Sequence, residues 1–335
     1  MTKLERVQAT LKREPTDRPP YAFWRHFPDV DHSAAALAQA TLRFHERYGS
    51  DFLTVTPRAG SAVEDWGCVE SDEVARDGHR PCARHAVMEP ADWKKIRPLR
   101  VESTGWGAQL ETIIRCVVDR RADCSTVPTV WSPLSLAGVL AGDRLRYDLE
   151  ENPQAVTDAL EAITETILVF LDACFVEGVE GIFYAIGAAS ADRHSEDHYL
   201  RFGEPYDRRI LAHVRRRSRL TLVHGHGRNV MFDRLAALPA DAWSWDDPLG
   251  GPSLTEGLAR VPGAVVGGLD AWSTLRDGPP EVARAEAQKA IADTGGRGLI
   301  LGAGCVLARR TSDLALVELI RSIGGQVKLG LIKPQ

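Results

Sequence analysis

The 335-residue sequence lacks the features that mark several large classes of protein. Its six cysteines contain no CxxC pair, which argues against a disulfide framework and favours a reducing, cytoplasmic location. No apolar stretch is long enough to cross a bilayer, and the polar, amphipathic start of the chain does not resemble a secretory signal. We therefore expect no membrane partner.

An excess of basic residues is also absent. Lysine and arginine number 41 against 46 acidic residues, a formal net charge of −5. Nucleic-acid-binding domains usually carry a basic excess, so we expect no nucleic-acid partner. The densest basic run, residues 215–219, is typical of a solvated cationic face near a helix end.

Short apolar segments alternate with longer helical patterns along the chain. Eight segments are nearly continuously hydrophobic and most are bounded by Gly, Pro or Asp, as expected of parallel strands covered on both faces. They span residues 19–27, 51–57, 126–133, 179–187, 220–225, 242–247, 263–270 and 298–304. Helical patterns occupy residues 33–49, 152–178, 252–261, 279–296 and 311–325.

Eight such units predict an α/β protein with a (β/α)8 TIM barrel, one domain over residues 1–335. Residues 58–125 are too many for one crossover, and we predict an inserted extension over the C-terminal mouth of the barrel. Within it, Glu64, Asp65 and Trp66 have a structural role by default. The alternative is an open doubly wound sheet, which the lack of a GxGxxG after the first strand disfavours.

Polar side chains collect at the ends of the predicted strands, where barrel enzymes carry their active sites. A packed core would not contain them without hydrogen-bonding partners. The candidates, in chain order, are Trp24, Arg25, His26, Trp131, Tyr184, His224, His226, Asp246, Asp247 and Cys305.

His224 and His226 are two apart on an extended segment, so both side chains point to the same side, with Gly225 leaving room between them. Cys305 reaches the same mouth from the last strand. Two imidazoles and one thiolate suit zinc with an open fourth position. A simpler interpretation stays open, in which a histidine bonds a loop backbone and Cys305 is a small buried hydrophobe.

The other candidates each allow two interpretations. Arg25 needs an anionic partner, either a substrate carboxylate or phosphate or a salt bridge to a strand-end aspartate (Asp246, Asp247 or Asp270). Tyr184 is a hydroxyl donor to substrate or a packed tyrosine. The two aspartates, Asp246 and Asp247, are acid–base groups, metal-site partners or turn residues. Substrate contacts are also predicted for Trp24, His26, Trp131 and Asp247.

Five segments carry motifs that are more specific than the strand and helix patterns: "RVQATLKREPTDRPPYAFWRHF", "WSPLSLAG", "GIFYA", "VHGHG" and "LILGAGCVL". Their order and spacing resemble those of the uroporphyrinogen decarboxylase family. The chain resembles this family over essentially its whole length, most specifically in "REPTDRPP" and in the segment from "GAGCV" to "TSD". The resemblance implies the (β/α)8 fold, in agreement with the strand count.

The family has two chemical branches. One decarboxylates uroporphyrinogen without a metal and carries two arginines in the first strand, of which only Arg25 is matched here. The other contains zinc methyltransferases that pass a methyl group between a corrinoid and a thiol, with an H-x-C motif and a later cysteine as ligands. The resemblance matches His224 and Cys305 to this set, and His226 stands where the middle cysteine would be. The implied zinc site is more Lewis acidic than a thiolate-rich one.

We therefore predict a zinc-dependent methyl- or alkyltransferase that activates a thiol or similar nucleophile on a small substrate with an anionic group. Arg25 would bind the anionic end, and Tyr184 and Asp246, the predicted catalytic residues, would orient the substrate. A corrinoid would be carried by a partner protein, and a homodimer is plausible. The alternatives are a metal-free decarboxylase of a carboxylated ring, a non-catalytic protein that binds a corrinoid partner, and a metal-dependent hydrolase.

Overall fold

A computed structural model describes residues 1–120 and 123–328. Its nine strands are β1 (Phe52–Val55), β2 (Val69–Glu70), β3 (Cys82–Arg84), β4 (Ser125–Trp131), β5 (Gly181–Ile186), β6 (Leu220–Gly225), β7 (Ala242–Trp245), β8 (Ala264–Leu269) and β9 (Leu299–Ala303). Seven of them form one parallel sheet in the order β1-β4-β5-β6-β7-β8-β9, while β2 and β3 form an antiparallel ribbon. Seven of the eight predicted strands are thereby present.

The helices surround this sheet. Those of the described residues are α1 (Lys3–Leu11), α2 (Ala34–Tyr48), α3 (Thr104–Asp119), α4 (Pro133–Ala141), α5 (Arg144–Glu151), α6 (Pro153–Val176), α7 (Glu196–Phe202), α8 (Glu204–Val214), α9 (Phe232–Ala236), α10 (Leu254–Arg260), α11 (Thr274–Asp277), α12 (Pro280–Thr294) and α13 (Asp313–Ser322). Short 3-10 helices occupy Ala59–Ala62, Glu64–Trp66 and Pro90–Lys95. Across the described ranges, no helix combines the length and apolar character needed to cross a membrane.

The predicted first strand, residues 19–27, closes the barrel although it forms only an isolated bridge. Tyr21 bridges Leu301 of β9, and the Ala22 amide donates to the Leu301 carbonyl at 3.1 Å. The Leu301 amide donates to the Pro20 carbonyl at 2.8 Å. Two prolines at its start remove amide donors, which prevents a regular ladder. With this segment as the eighth stave, the predicted single-domain (β/α)8 fold is confirmed.

Side chains alternate between two cores. Phe183, Ala185 and Leu222 belong to a cluster inside the barrel, together with Trp24 and Cys305. Their neighbours along the strands pack outward, in the larger cluster between sheet and helices. Because successive side chains of a strand face opposite sides, the position of a strand-end residue in this alternation decides whether it can reach the mouth.

The "REPTDRPP" motif ties the start of the chain to the barrel. Asp17 accepts a hydrogen bond from Arg6 Nε at 2.7 Å, and Arg18 pairs with Asp51 at 2.7 Å. The fully buried Asp51 also pairs with Arg6 and accepts from the Tyr21 amide at 2.8 Å. The motif therefore stabilises barrel closure at the face opposite the mouth.

Only part of the span 58–125 lies over the mouth. Residues from β2, β3 and the turn between them line the cavity there. In contrast, α3 packs against α2 as the crossover helix between β1 and β4. Gly105 and Gly107 lie in its first turn, which hid the helical pattern in the sequence. Gly105 is required because a Cβ there would lie 2.0 Å from the Ser61 carbonyl oxygen.

Candidate metal centre

A cavity of about 440 Å³ opens at the C-terminal mouth of the barrel. Its walls come from the eighth stave, the ends of β4, β5 and β6, the segment after β9, and the extension. Six residues predicted from strand ends line it: Trp24, His26, Trp131, His224, His226 and Cys305.

Three of these side chains meet at one point. The ligand atoms of His224, His226 and Cys305 all lie within 4.8 Å of one another. Cys305 Sγ is 3.5 Å from His226 Nδ1. Bonds of about 2.3 Å to sulfur and 2.05 Å to nitrogen at a tetrahedral angle place those two atoms about 3.6 Å apart. The spacing therefore fits two ligands of one zinc ion.

The two histidines are oriented by neighbouring strands. His224 faces inward from β6, and its Nδ1 shares a hydrogen bond with Ser244 Oγ of β7 at 3.2 Å. That bond leaves Nε2 as the atom available to an ion. The His226 amide donates to the Ile186 carbonyl at 3.0 Å, which keeps the chain extended beyond the end of β6.

Gly225 serves a different purpose from the predicted one. A Cβ at this position would lie 2.5 Å from Leu235 Cδ1 of α9 and 3.3 Å from Val230 Cγ1. By alternation its missing side chain points to the helix layer, while the imidazoles point to the cavity. The glycine therefore permits close packing of α9 on β6 and does not separate the imidazoles.

The protonation states suit metal binding. Burial, followed by the charge of His226, lowers the pKa of His224 to about 3. Burial, followed by the charge of Arg193, lowers the pKa of His226 to about 4. Both imidazoles are thus neutral near pH 7, as ligands must be. Burial raises the pKa of the Cys305 thiol to about 12, so this thiol ionises only beside a cation.

Aromatic rings pack around the two imidazoles. The centroid of Phe183 lies 5.2 Å and that of Trp24 6.3 Å from the His224 ring. Trp131 meets His226 edge-on, at 5.8 Å and 88°. These rings restrict the imidazole orientations and keep water from the inner side of the site.

Comparison with known proteins identifies the family. The model of the family described as "Uroporphyrinogen decarboxylase (URO-D)" matches residues 2–323. The chain belongs to this family. Its resemblance to uroporphyrinogen decarboxylase sequences, predicted from the motifs, is confirmed.

Two solved structures show the same fold as this uroporphyrinogen decarboxylase family member. A methyltransferase from Methanosarcina mazei is 20% identical, with a TM-score of 0.80 over 97% of this chain and 98% of that chain. A B12-independent methionine synthase from Shewanella sp. W3-18-1, in complex with selenomethionine, is 11% identical, with a TM-score of 0.57 over 92% and 91%. At these identities the likeness establishes the fold alone. The comparison with curated proteins found no match.

In this family member, Tyr184 lies outside the site, which corrects its predicted catalytic role. The fully buried hydroxyl donates to Asp207 Oδ1 of α8 at 2.7 Å, and Tyr199 donates to the other carboxylate oxygen at 2.8 Å. Burial raises the pKa of Asp207 to about 7. Tyr184 alternates with the inward-facing Phe183 and Ala185, so it faces the helices.

Arg25 also faces away from the cavity, which corrects its predicted substrate contact. It alternates with the inward-facing Trp24 and His26, and it lies in the small pocket beside Phe27. Its Nη2 donates to the Arg309 carbonyl at 3.1 Å. Among the described residues it forms no salt bridge, so the predicted alternative partners, the aspartates at the strand ends, do not bind it either.

Asp246 and Asp247 do not line the cavity, which corrects the catalytic role predicted for Asp246 and the substrate contact predicted for Asp247. Asp246 faces inward against Gly304, where a Cβ would lie 2.9 Å from Asp246 Oδ1. Burial, followed by the charge of Asp270, raises the pKa of Asp246 to about 6. Asp247 faces outward and accepts from the Gly268 amide at 3.2 Å. Asp246 can act on Cys305 electrostatically, and Asp247 supports the turn.

Several polar residues that line the cavity were not predicted from the sequence, and three of them carry charges that act on the metal ligand His226. Asp77 and His79 come from the turn between β2 and β3, and Arg193 comes from the loop between β5 and α7. His79 Nδ1 lies 2.6 Å from Asp77 Oδ1. None of them ends a barrel strand, so strand-end reasoning could not find them. A "DGH" turn in an irregular segment was the one available signal.

Proposed function

We propose that this protein is a zinc-dependent methyl- or alkyltransferase acting on a small nucleophile such as a thiol. The observation that carries the proposal is the convergence of His224, His226 and Cys305 at the inner end of a largely apolar cavity. Three such ligands leave a fourth position open. Zinc bound there supplies Lewis acidity, which lowers the pKa of the nucleophile.

The protein's own residues would hold the substrate. Trp24, Trp131 and Phe183 line the cavity and exclude water around the reacting atoms. The anionic group predicted from sequence would bind to Arg193 instead of Arg25. Arg193 lines the cavity, and its charge, after burial, lowers the pKa of His226. Among the described residues no carboxylate pairs with it, so its guanidinium is available to a ligand.

The proposed reaction needs no external oxidant or reductant. The bond between hydrogen and the nucleophile breaks, the proton passes to a base or to water, and the electron pair left on the nucleophile forms a bond to the methyl carbon. The bond between the donor and the methyl carbon breaks, with its pair remaining on the donor. A corrinoid donor would be carried by a separate protein, since the described residues form one barrel and its extension. We also propose that the protein forms a homodimer and is located in the cytoplasm.

A metal-free decarboxylase of a highly carboxylated ring has less support. The arginines that line the cavity are Arg80 and Arg193. Arg80 already pairs with Asp31 at 2.9 Å, and Arg25 points elsewhere. Several substrate carboxylates would therefore lack counter-charges.

Elemental analysis tests the proposal. Purified wild-type protein is expected to hold about one zinc per chain, and His226→Ala and Cys305→Ala to lose it, because each removes one of three ligands. His213→Gln, on the outer surface of α8, and Cys174→Ala, in the core of α6, are matched controls that should retain zinc.

Unchanged zinc in both ligand variants would refute the metal assignment. Wild-type protein that folds, takes up no zinc and is indifferent to chelators would favour the decarboxylase. If His224→Ala abolishes zinc binding but leaves binding of a corrinoid partner protein intact, the non-catalytic binding protein is favoured.

A further inference from the structure

A second polar group faces the cavity that holds the metal ligands. His79 Nδ1 is 2.6 Å from Asp77 Oδ1, and both side chains line the cavity. After burial and Arg193, the charges of Asp77 and His79 contribute to the pKa of His226, so the pair lies within electrostatic reach of the metal set. Both residues lie in the extension and not in a strand of the barrel.

The turn that carries this pair is tightly held. The His79 amide donates to Asp77 Oδ1 at 3.1 Å, and the Arg309 amide donates to the Arg76 carbonyl at 2.9 Å. Gly78 has a φ of +94° and packs against His26, where a Cβ would lie 3.0 Å from His26 Cβ. The turn is thus anchored both to the eighth stave and to the segment that follows Cys305.

His79 differs from the other histidines around it in its affinity for a proton. The hydrogen bond with Asp77 raises the pKa of His79, with further support from Glu70 of β2. Burial lowers the pKa of His26, which faces the pair from the eighth stave, to about 4. His226 faces it from the end of β6 with a pKa of about 4, which is lowered by burial and then by the positive charge of Arg193. His79 therefore has a greater affinity for a proton than His26 or His226 has.

We propose that His79, positioned by Asp77, accepts the proton that the substrate nucleophile loses. The inference rests on the proposed function and deepens it. The bond between hydrogen and sulfur breaks, the electron pair stays on sulfur, and the proton moves to His79 Nε2. The sulfur pair then forms the bond to the methyl carbon as the donor–carbon bond breaks. The proton passes afterwards to the leaving group or to water. His79 is the catalytic residue and Asp77 the positioning residue, which fixes the tautomer that leaves Nε2 free.

The test counts the protons released when a thiol binds. Zinc-loaded protein is titrated with 2-mercaptoethanol by calorimetry between pH 7 and 8, in buffers of different ionisation enthalpy. The His79→Gln variant is expected to release about one proton per thiol bound. Wild-type protein is expected to release clearly less than one, because the arriving anionic sulfur raises the pKa of His79 further and the proton stays there. Asp77→Asn should shift the count towards one.

The control is a variant of a second histidine–aspartate pair that lies outside the cavity. His213 of α8 pairs with Asp172 of α6 at 2.8 Å on the surface, so His213→Gln should release as few protons as wild type. Measurements of zinc content and thermal unfolding verify that each variant is folded and loaded with metal. If His79→Gln does not fold, Asp77→Asn replaces it in the test. Equal release of one proton by wild type and His79→Gln would overturn the proton-acceptor role while leaving thiol binding, and the proposed function, intact. Absence of thiol binding to zinc-loaded wild type would overturn both.

Discussion

At the scale of single residues, the alternation of side chains along a strand explains which predicted site residues reach the cavity. Trp24 and His26 face inward, and Arg25 between them faces outward. His224 follows the parity of Leu222, an interior residue. A position near a strand end is therefore not enough to bring a strand residue to the cavity, because the alternation of side chains decides which of these residues face inward.

Arg193 is expected to distinguish charged from neutral thiols. In cobalt-substituted protein, Arg193→Gln should weaken binding of mercaptoacetate about tenfold, because a charge-assisted hydrogen bond is lost, and leave 2-mercaptoethanol unchanged. Titration of the thiolate–cobalt absorption band measures both. Arg201→Gln, whose guanidinium stacks on Phe202, is the control and should change neither. An equal loss for both thiols would argue against an anion contact.

Asp247 is expected to make stability depend on pH. Burial raises its pKa from 3.8 to about 7. The folded protein therefore binds this proton more tightly than the unfolded chain does, so Asp247 stabilises the fold below its unfolded pKa, and that contribution is lost as the pH rises through about 7. Asp247→Asn should remove this part of the decline in the free energy of unfolding with rising pH. Urea unfolding from pH 4 to 8 measures it, and parallel curves for both proteins would contradict the shifted pKa.

At the scale of elements, the site depends on how closely the end of β9 approaches β7. Gly304, directly before Cys305, has no room for a side chain, since a Cβ would lie 2.8 Å from Asp246 Cα. A backbone atom cannot move aside as a flexible side chain can. The glycine therefore places Cys305 within reach of the histidines.

Gly304→Ala is expected to weaken zinc binding about 10- to 100-fold, the range typical of changes that displace a ligand's support. Competition with a chelator of known affinity measures the effect. Gly138→Ala in α4 is the matched control, because the nearest atom to its added Cβ, Leu145 Cδ2, is 3.9 Å away. Similar zinc affinity in both variants would show that β9 can shift without cost to the site.

At the scale of the whole molecule, barrel closure and the functional mouth are separate. The ion pairs around Asp51 join α1, the eighth stave and β1 at one face, while the cavity opens at the other. The most specific sequence motif of the family therefore supports the fold, and the chemistry depends on residues at the opposite end of the strands.

Asp51→Ala is expected to lower the free energy of unfolding by about 3–5 kcal/mol, because it leaves buried arginine charge uncompensated. Asp17→Ala should cost about 1 kcal/mol or less, since the Asp17 side chain is 43% exposed and that of Asp51 0%. Urea denaturation measures both. Equal costs would mean that burial of the Asp51 cluster does not govern closure.

The sequence by itself determined the barrel, the family and the three candidate metal ligands. Strand and helix periodicities are local, and parallel strands bring their carboxyl ends to one face whatever packs around them, which is why His224, His226 and Cys305 could be placed together. Only the tertiary structure decided that Tyr184 and Arg25 face away from the cavity and that Gly225 permits the packing of α9. It also decided that Asp77, His79 and Arg193 line the cavity. Those outcomes depend on the exact register of each strand end and on contacts of irregular segments with distant parts of the chain, which no local pattern encodes.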